Sequence, residues 1–309
     1  MLKYSRGDTV VIFPDYYKDF ECIKGECRHN CCIGWEIDID EDTLEKYRAV
    51  SGEFGKRLAK NISCDGAAHF VLSENERCPF LNSQNLCDII INLGEEHLCQ
   101  ICDMHPRFRN ELPDRVEIGL GLCCEAAGKL ILSKKEPVVF PKLDTDDEII
   151  ILRDEIIDIL QNRKFSINDR IDKMLELLDV SKPDVYEWLD LFSELEMLDE
   201  DWGKLIEKAK NEVPDFAEFD RYIRGRETEY EQFLIYLIYR HFANAPDFDS
   251  AVSRGLFAVL SFELLHLLGA VIFTEKGGFT LDDQIELARL FSSEIEYSDE
   301  NLYTILDEI

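Results

Sequence analysis

Positive charge is scarce in this sequence. It has 34 Lys and Arg against 64 Asp and Glu, a formal net charge of −30. That balance argues against sequence-independent binding to nucleic acid, which needs cations to displace counterions from phosphates. It suits a basic or lysine-bearing partner, or a solvated acidic surface that keeps the chain soluble. No secretory leader is expected, because no apolar run ending in small residues follows the first methionine. The longest apolar run, residues 256–273, carries Glu263 and His266 in its middle and has no basic flanks. It reads as a buried core helix rather than a membrane span, since a carboxylate at mid-membrane is costly. The expectation is a cytoplasmic protein with no membrane partner. There is no fixed-period repeat and no low-complexity tract. Gly119 and Gly121 precede paired cysteines without the strand–G-x-G-x-x-G–helix context, so no Rossmann-type domain is expected. A G-x-S-x-G elbow is missing too.

Cysteine is absent after Cys124 but dense before it. The chain has 11: Cys22, Cys27, Cys31, Cys32, Cys64, Cys78, Cys87, Cys99, Cys102, Cys123 and Cys124. An odd count in an intracellular chain points to reduced thiols at a metal site rather than to a disulfide framework. Thiolate-rich sites select zinc or iron–sulfur clusters. A structural zinc favours paired C-x2-C halves, and only Cys99 and Cys102 have that spacing. Cys27 and Cys31 begin a C-x3-C-x2-C radical motif, but residue 34 is glycine, so the motif is not met. A four-iron cluster is favoured, with zinc as the alternative. Its ligands are expected from Cys27, Cys31 or Cys32, Cys87 and Cys102, with Cys22, Cys78 and Cys123 in reserve. Cys64, Cys99 and Cys124 read as ordinary buried thiols. His29 and His105 stand beside candidate ligands and can replace one, or can be surface or capping histidines.

The fold class expected is mainly α. A cysteine-rich α+β domain with a few short strands spans residues 1–133. A proline-marked acidic linker follows at 134–147, and an all-helical domain at 148–309. Residues 4–13 read as a short strand or extended arm. Residues 36–40 alternate, with Ile37 and Ile39 on one face and Glu36, Asp38 and Asp40 on the other. Asp40 or Asp42 can cap a helix over 43–50. A helix over 94–104 carries Cys99 and Cys102 on one face and stops before Pro106. Another, 125–132, starts at the paired cysteines, where its N-terminus would favour thiolates. In the C-terminal half the expected helices are 146–162, 168–179, 183–197, 201–211, 218–242, 249–273, 281–291 and 299–308. Glu263 and His266, one turn apart, read as an acid–base pair or a satisfied core hydrogen bond. The polar stretch 291–301 reads as a cap through Ser298 or Asp299.

Six motifs together resemble the flagellin lysine-N-methylase family: YYKDFECIKGECRHNCCIGWEIDID, CPFLNSQNLC, LGEEHLCQICDMHPRFRNE, LCCEAAGKLIL, YEQFLIYLIYRHF and SSEIEYSDENL. The resemblance implies methyl transfer from S-adenosylmethionine to lysine side chains of flagellin, in a protein that carries an iron–sulfur cluster. Cys22, Cys27, Cys31, Cys32, Cys78, Cys87, Cys102 and Cys123 fall on the family's cysteine positions. Cys99 and Cys124 are extra. The family often has histidine where this chain has Tyr297, which weakens a catalytic reading of that motif. A lysine amine has a pKa near 10.4 and must lose its proton before it attacks a methyl carbon. Tyr16, Tyr17, Glu294, Glu296 and Tyr297 are the candidates to receive that proton. The competing reading is a non-catalytic zinc- or iron-binding or redox protein with a helical interaction module.

Overall fold

The computed structural model describes residues 10–309. The expected mainly α architecture holds. Two compact units divide the chain, a smaller one at residues 21–107 and a larger one formed by residues 10–20 with 108–309. The expected boundary at 133 thus falls inside the larger unit. The reason lies in the stretch expected as a linker. Val138 is buried there, its backbone pairs with the Gln161 side chain at 2.6 and 3.1 Å, and Phe140 lies 4.5 Å from the Tyr239 ring. Local composition is that of a linker, but its apolar residues face a core.

Strand β1 (Val10–Ile12) opens the described chain. The remainder of the arm expected over 4–13 falls partly outside the described residues. In the smaller unit, α1 (Glu41–Ala49) is capped by Asp40, whose carboxylate accepts from Thr43 N at 3.0 Å. Then follow α2 (Gly52–Lys60), the short pair β2 (Ile62–Ser63) and β3 (His69–Phe70), α3 (Asp88–Leu93) and α4 (Gln100–Met104). The helix expected over 94–104 is broken. A single 3-10 turn covers Glu95–His97, and α4 starts afresh at Cys99. Leu98 and Cys99 set the break, because their extended backbone, ψ 144° and 151°, cannot continue a helix. Ile37 and Ile39 are buried as the alternation requires, and they pack with Tyr47, Phe70 and Phe80.

In the larger unit, β4 (Arg107–Glu111) and β5 (Arg115–Leu120) complete a sheet of order β1-β5-β4, with β1 parallel to β5 and Ile12 opposite Glu117. Next come α5 (Glu125–Leu132), α6 (Glu148–Leu160), α7 (Ile167–Leu178), α8 (Val185–Glu194), α9 (Glu200–Asn211) and α10 (Phe216–Tyr222). The bundle closes with α11 (Glu227–His241), α12 (Phe248–Lys276), α13 (Leu281–Phe291) and α14 (Asp299–Glu308). The single helix expected over 218–242 is two. Gly225 at φ +85° separates α10 from α11 within a polar run, Arg-Gly-Arg-Glu-Thr-Glu at 224–229. The apolar run containing Glu263 and His266 lies in α12, the one helix among the described residues long and apolar enough to cross a bilayer. It is mostly buried, packed against α9, α11, α13 and α14.

Helix α11 is apolar and buried nearly all round. Its charged residues must therefore find partners inside the protein. Glu229 takes Arg226, and Glu231 takes Arg163 and Arg170. The last charged residues of α11 build the site described next.

Candidate functional site

Between α13 and α14 the chain makes one wide π-turn, Ser292–Glu296, closed by Tyr297 N donating to Ser292 O at 3.1 Å. Such turns interrupt regular helices at functional sites more often than elsewhere. This one turns both Glu294 and Glu296 inward. Their roles differ. Glu294 accepts from the backbone N–H of Leu198, at 2.9 Å, and of Asp199. Asn301 anchors the same turn by donating to Glu294 O at 2.8 Å. Glu294 therefore secures the start of α9. Ser298 caps α14, accepting from Asn301 N at 3.2 Å.

The carboxylate of Glu296 is fully shielded and surrounded by residues of α11. Tyr236 Oη donates to Oε2 at 2.8 Å, and His241 Nε2 lies 2.7 Å from Oε1. The Arg240 guanidinium is 3.4 Å from Oε1 and donates to Tyr236 Oη at 2.6 Å. Tyr236 and Arg240 stand four residues apart, one above the other on a helical face. Arg240 also sits over the rings of Phe108, Tyr236 and Tyr297, with its carbon 5.0 to 5.9 Å from their centroids, a favourable arrangement for a desolvated cation. Burial alone would raise the Glu296 pKa, but the Arg240 charge and the His241 hydrogen bond outweigh it and hold the group below its ordinary value. Burial lowers the His241 pKa, and the neighbouring carboxylate only partly opposes this. The result is an anionic carboxylate holding a neutral imidazole, with Nδ1 left as the ring nitrogen that can take a proton.

Cys123 lies in this unit too, hydrogen-bonded to Tyr297. Burial pushes its thiol up to about 12, against the pull of Tyr297 and Arg240. The thiolate expected at the start of α5 is therefore not favoured, because desolvation exceeds what a helix end supplies. Tyr16 is buried in the same core, and burial raises its phenol. Tyr17 lies 5.3 Å from Phe13. The expected pair Glu263–His266 does not form. Glu263 meets Lys182 at 2.5 Å, and His266 meets Asp220 at 2.8 Å and stacks on Phe216.

The smaller unit gathers thiols from several segments. Cys31 and Cys32 are hydrogen-bonded neighbours, and so are Cys99 and Cys102. Cys32 is pushed up by its bond to Cys31, by burial and by the charges of Cys31, Cys78 and Cys87. Cys102 is pushed up by Cys99, by burial and by Cys32 and Cys78. Within each pair one thiol ionises more readily than usual, Cys31 at about 7 and Cys99 below its ordinary value. These mutual effects show that Cys31, Cys32, Cys78, Cys87, Cys99 and Cys102 lie within electrostatic reach of one another. Cys99, expected to be an ordinary thiol, is a member: it is buried, 3.5 Å from Tyr47 Oη. Cys78 lies within reach of Cys87 and Cys99. Cys22 is exposed and bonds locally to Lys24 N at 3.3 Å. Cys27 and Cys124 are half-buried, and Cys64 is exposed rather than buried. Among the described residues no three His, Cys, Asp or Glu side chains form a finished metal cage. Soft thiols that repel one another as thiolates are the donor chemistry a cationic centre stabilises.

Sequence reasoning quoted the α11 motif but gave no role to Tyr236, Arg240 or His241. The available signal was a Tyr, an Arg and a His in the last turns of a helix whose middle, residues 233–239, is apolar or aromatic.

Residues 172–309 match the family model described as the FliB lysine N-methylase C-terminal domain. Lysine-N-methylases of Salmonella choleraesuis (strain SC-B67) and Salmonella typhimurium (strain LT2) are each 29% identical over 134 residues, 41% of this chain. The match spans only about a third of those relatives, 33% of each. The flagellar biosynthetic protein FliU of Salmonella muenchen is 27% identical over 154 residues, 47% of this chain and 90% of the relative. No solved structure matches. The π-turn, α11 and the Glu296 cluster all fall within residues 172–309, the segment that matches the FliB lysine N-methylase C-terminal domain.

Proposed function

We propose that this chain is an S-adenosylmethionine-dependent protein-lysine N-methyltransferase of the cytoplasm, acting on flagellin or another lysine-bearing protein. The observation that carries the reading is the His241–Glu296 pair, 2.7 Å apart in the segment that matches the methylase domain. A lysine ammonium must become an amine before it can react. His241, neutral and held through Nε2, is the group to accept that proton at Nδ1. The freed lone pair then attacks the donor's methyl carbon in line. The carbon–sulfur bond breaks as the nitrogen–carbon bond forms, and the sulfonium leaves as a thioether. Glu296 stabilises the imidazolium and fixes its tautomer, Tyr236 and Arg240 keep Glu296 ionised, and the net charge of −30 favours approach of a lysine-bearing substrate.

The thiols of the smaller unit are proposed to hold an iron–sulfur cluster, four-iron in preference, with zinc as the alternative. Cys32, Cys78, Cys87, Cys99 and Cys102 are the donors to choose among, with Cys31 beside them. A metal centre held there would supply positive charge to the thiolates. The test is incubation of anaerobically purified, metal-loaded protein with methyl-labelled S-adenosylmethionine and flagellin, read by mass spectrometry at lysines. Labelled lysines support the reading. No label above background from loaded, folded protein rejects it in favour of a metal-binding or redox protein.

A further inference from the structure

A second polar site lies on the sheet of the larger unit, away from the Glu296 cluster in residue content. Arg115 and Glu117 are two residues apart on β5 and so share a face of the sheet. Both are buried, at 2% and 0% exposure. Arg153 of α6 reaches Glu117 Oε2 at 2.5 Å and spends its remaining donors on Asp154. Glu117 Oε1 is buried and has no partner among the described residues. Arg115 donates from Nε and Nη2 to Asp114 at 2.9 and 2.7 Å, and Nη1 has no acceptor among the described residues. A buried carboxylate oxygen without a donor is costly unless something fills the gap.

The gap is a cavity of 140 Å³ lined by Arg115, Glu117 and Arg153, with Val138, Phe140 and Tyr239 among its walls. A cavity of about 150 Å³ accepts benzene, so this one takes a ligand of that order of size. Its charged lining is balanced, with Arg115, Lys142 and Arg153 against Glu117, Asp154 and Asp158. A balanced site favours a ligand of no net charge. The free acceptor asks for a cation or donor, and the free guanidinium nitrogen asks for an anion. The apolar walls ask for a short hydrocarbon group.

We infer that this cavity binds an α-amino acid zwitterion with a small aliphatic side chain, its ammonium on Glu117 Oε1 and its carboxylate on Arg115 Nη1. The inference is independent of the methyl-transfer reading. The same chemistry can arrive as a free amino acid or as the amino-acid end of a larger molecule. Isothermal titration of the unmodified chain with L-valine, N-acetyl-L-valine, L-valine methyl ester and S-adenosylmethionine separates these sources. Binding of L-valine, weakened roughly tenfold or more by acetylation or by esterification, is the expected result for a free amino acid. Binding of S-adenosylmethionine alone, lost on Glu117→Gln, assigns the site to the end of a larger molecule. Glu117→Gln keeps the shape and is expected to weaken either ligand roughly tenfold or more. If that variant fails to fold, the analogue series on the unmodified chain still decides. Absence of L-valine binding, with S-adenosylmethionine either unbound or bound equally by Glu117→Gln, means the cavity holds water only and overturns the inference. So does binding indifferent to both modified ends.

Discussion

His241 Nε2 lies 2.7 Å from Oε1 of Glu296, and that carboxylate has no exposed surface. The two groups titrate in the same sense. Both are held below their ordinary values of 6.5 and 4.5 in the folded chain. As pH falls, the unfolded chain therefore takes up each proton first. Stability from His241 is fully present above pH 6.5 and is lost as pH drops through its folded value; that from Glu296 is present above 4.5 and is lost below. Urea midpoints measured across this range are expected to decline on acidification, starting near pH 6.5. His241→Asn is expected to flatten the upper part of that decline and to leave the lower part.

Glu294 lies two residues away and does a different job. It accepts from the N–H of Leu198 and of Asp199, so Glu294→Ala leaves two backbone donors without a partner. The expected cost is about 1–3 kcal/mol in denaturant unfolding. Methyl transfer per folded molecule is expected to stay unchanged, which separates this residue from Glu296.

Glu231 is buried on α11 between Arg163 and Arg170, at 2.8 and 2.7 Å, and Arg170 is itself 4% exposed. Glu231→Ala strands a buried cation and is expected to destabilise the larger unit by roughly 3–5 kcal/mol. The double variant Glu231→Ala with Arg170→Met removes the stranded charge and is expected to recover much of the loss.

The thiol cluster makes its own prediction. Metal content per chain after anaerobic purification is expected to fall sharply in Cys87→Ser and Cys102→Ser, and also in Cys78→Ser. Cys64→Ser is expected to retain metal, because that thiol is exposed and apart from the cluster. Equal metal content across all four variants would remove the assignment.

How far the sequence revealed all this depends on the range of the interaction. Helices α6 to α9 and α12 to α14 follow from apolar spacing with proline and glycine breaks, because those signals act within a turn or two. The gap between α10 and α11 lies in the polar run 224–229, where Gly225 takes a left-handed backbone; the apolar patterns on its two sides read as one helix. Cysteine density pointed to a thiol site. Membership did not follow from spacing, because Cys32, Cys78, Cys87 and Cys102 meet only through the path of the folded chain. Glu296 was among five candidates on sequence alone. Its selection needed Tyr236, Arg240 and His241, brought to it from α11 across more than fifty residues.

The most direct test of the proposed role of His241 is the single-turnover rate of methyl transfer to lysine at neutral pH, compared between the metal-loaded chain and a folded His241→Asn variant. Removing a general base is expected to slow transfer by about 10²–10⁴-fold, with partial recovery as pH rises and the lysine loses its proton unaided. Equal rates in the two proteins would contradict the assignment of His241 as the proton acceptor.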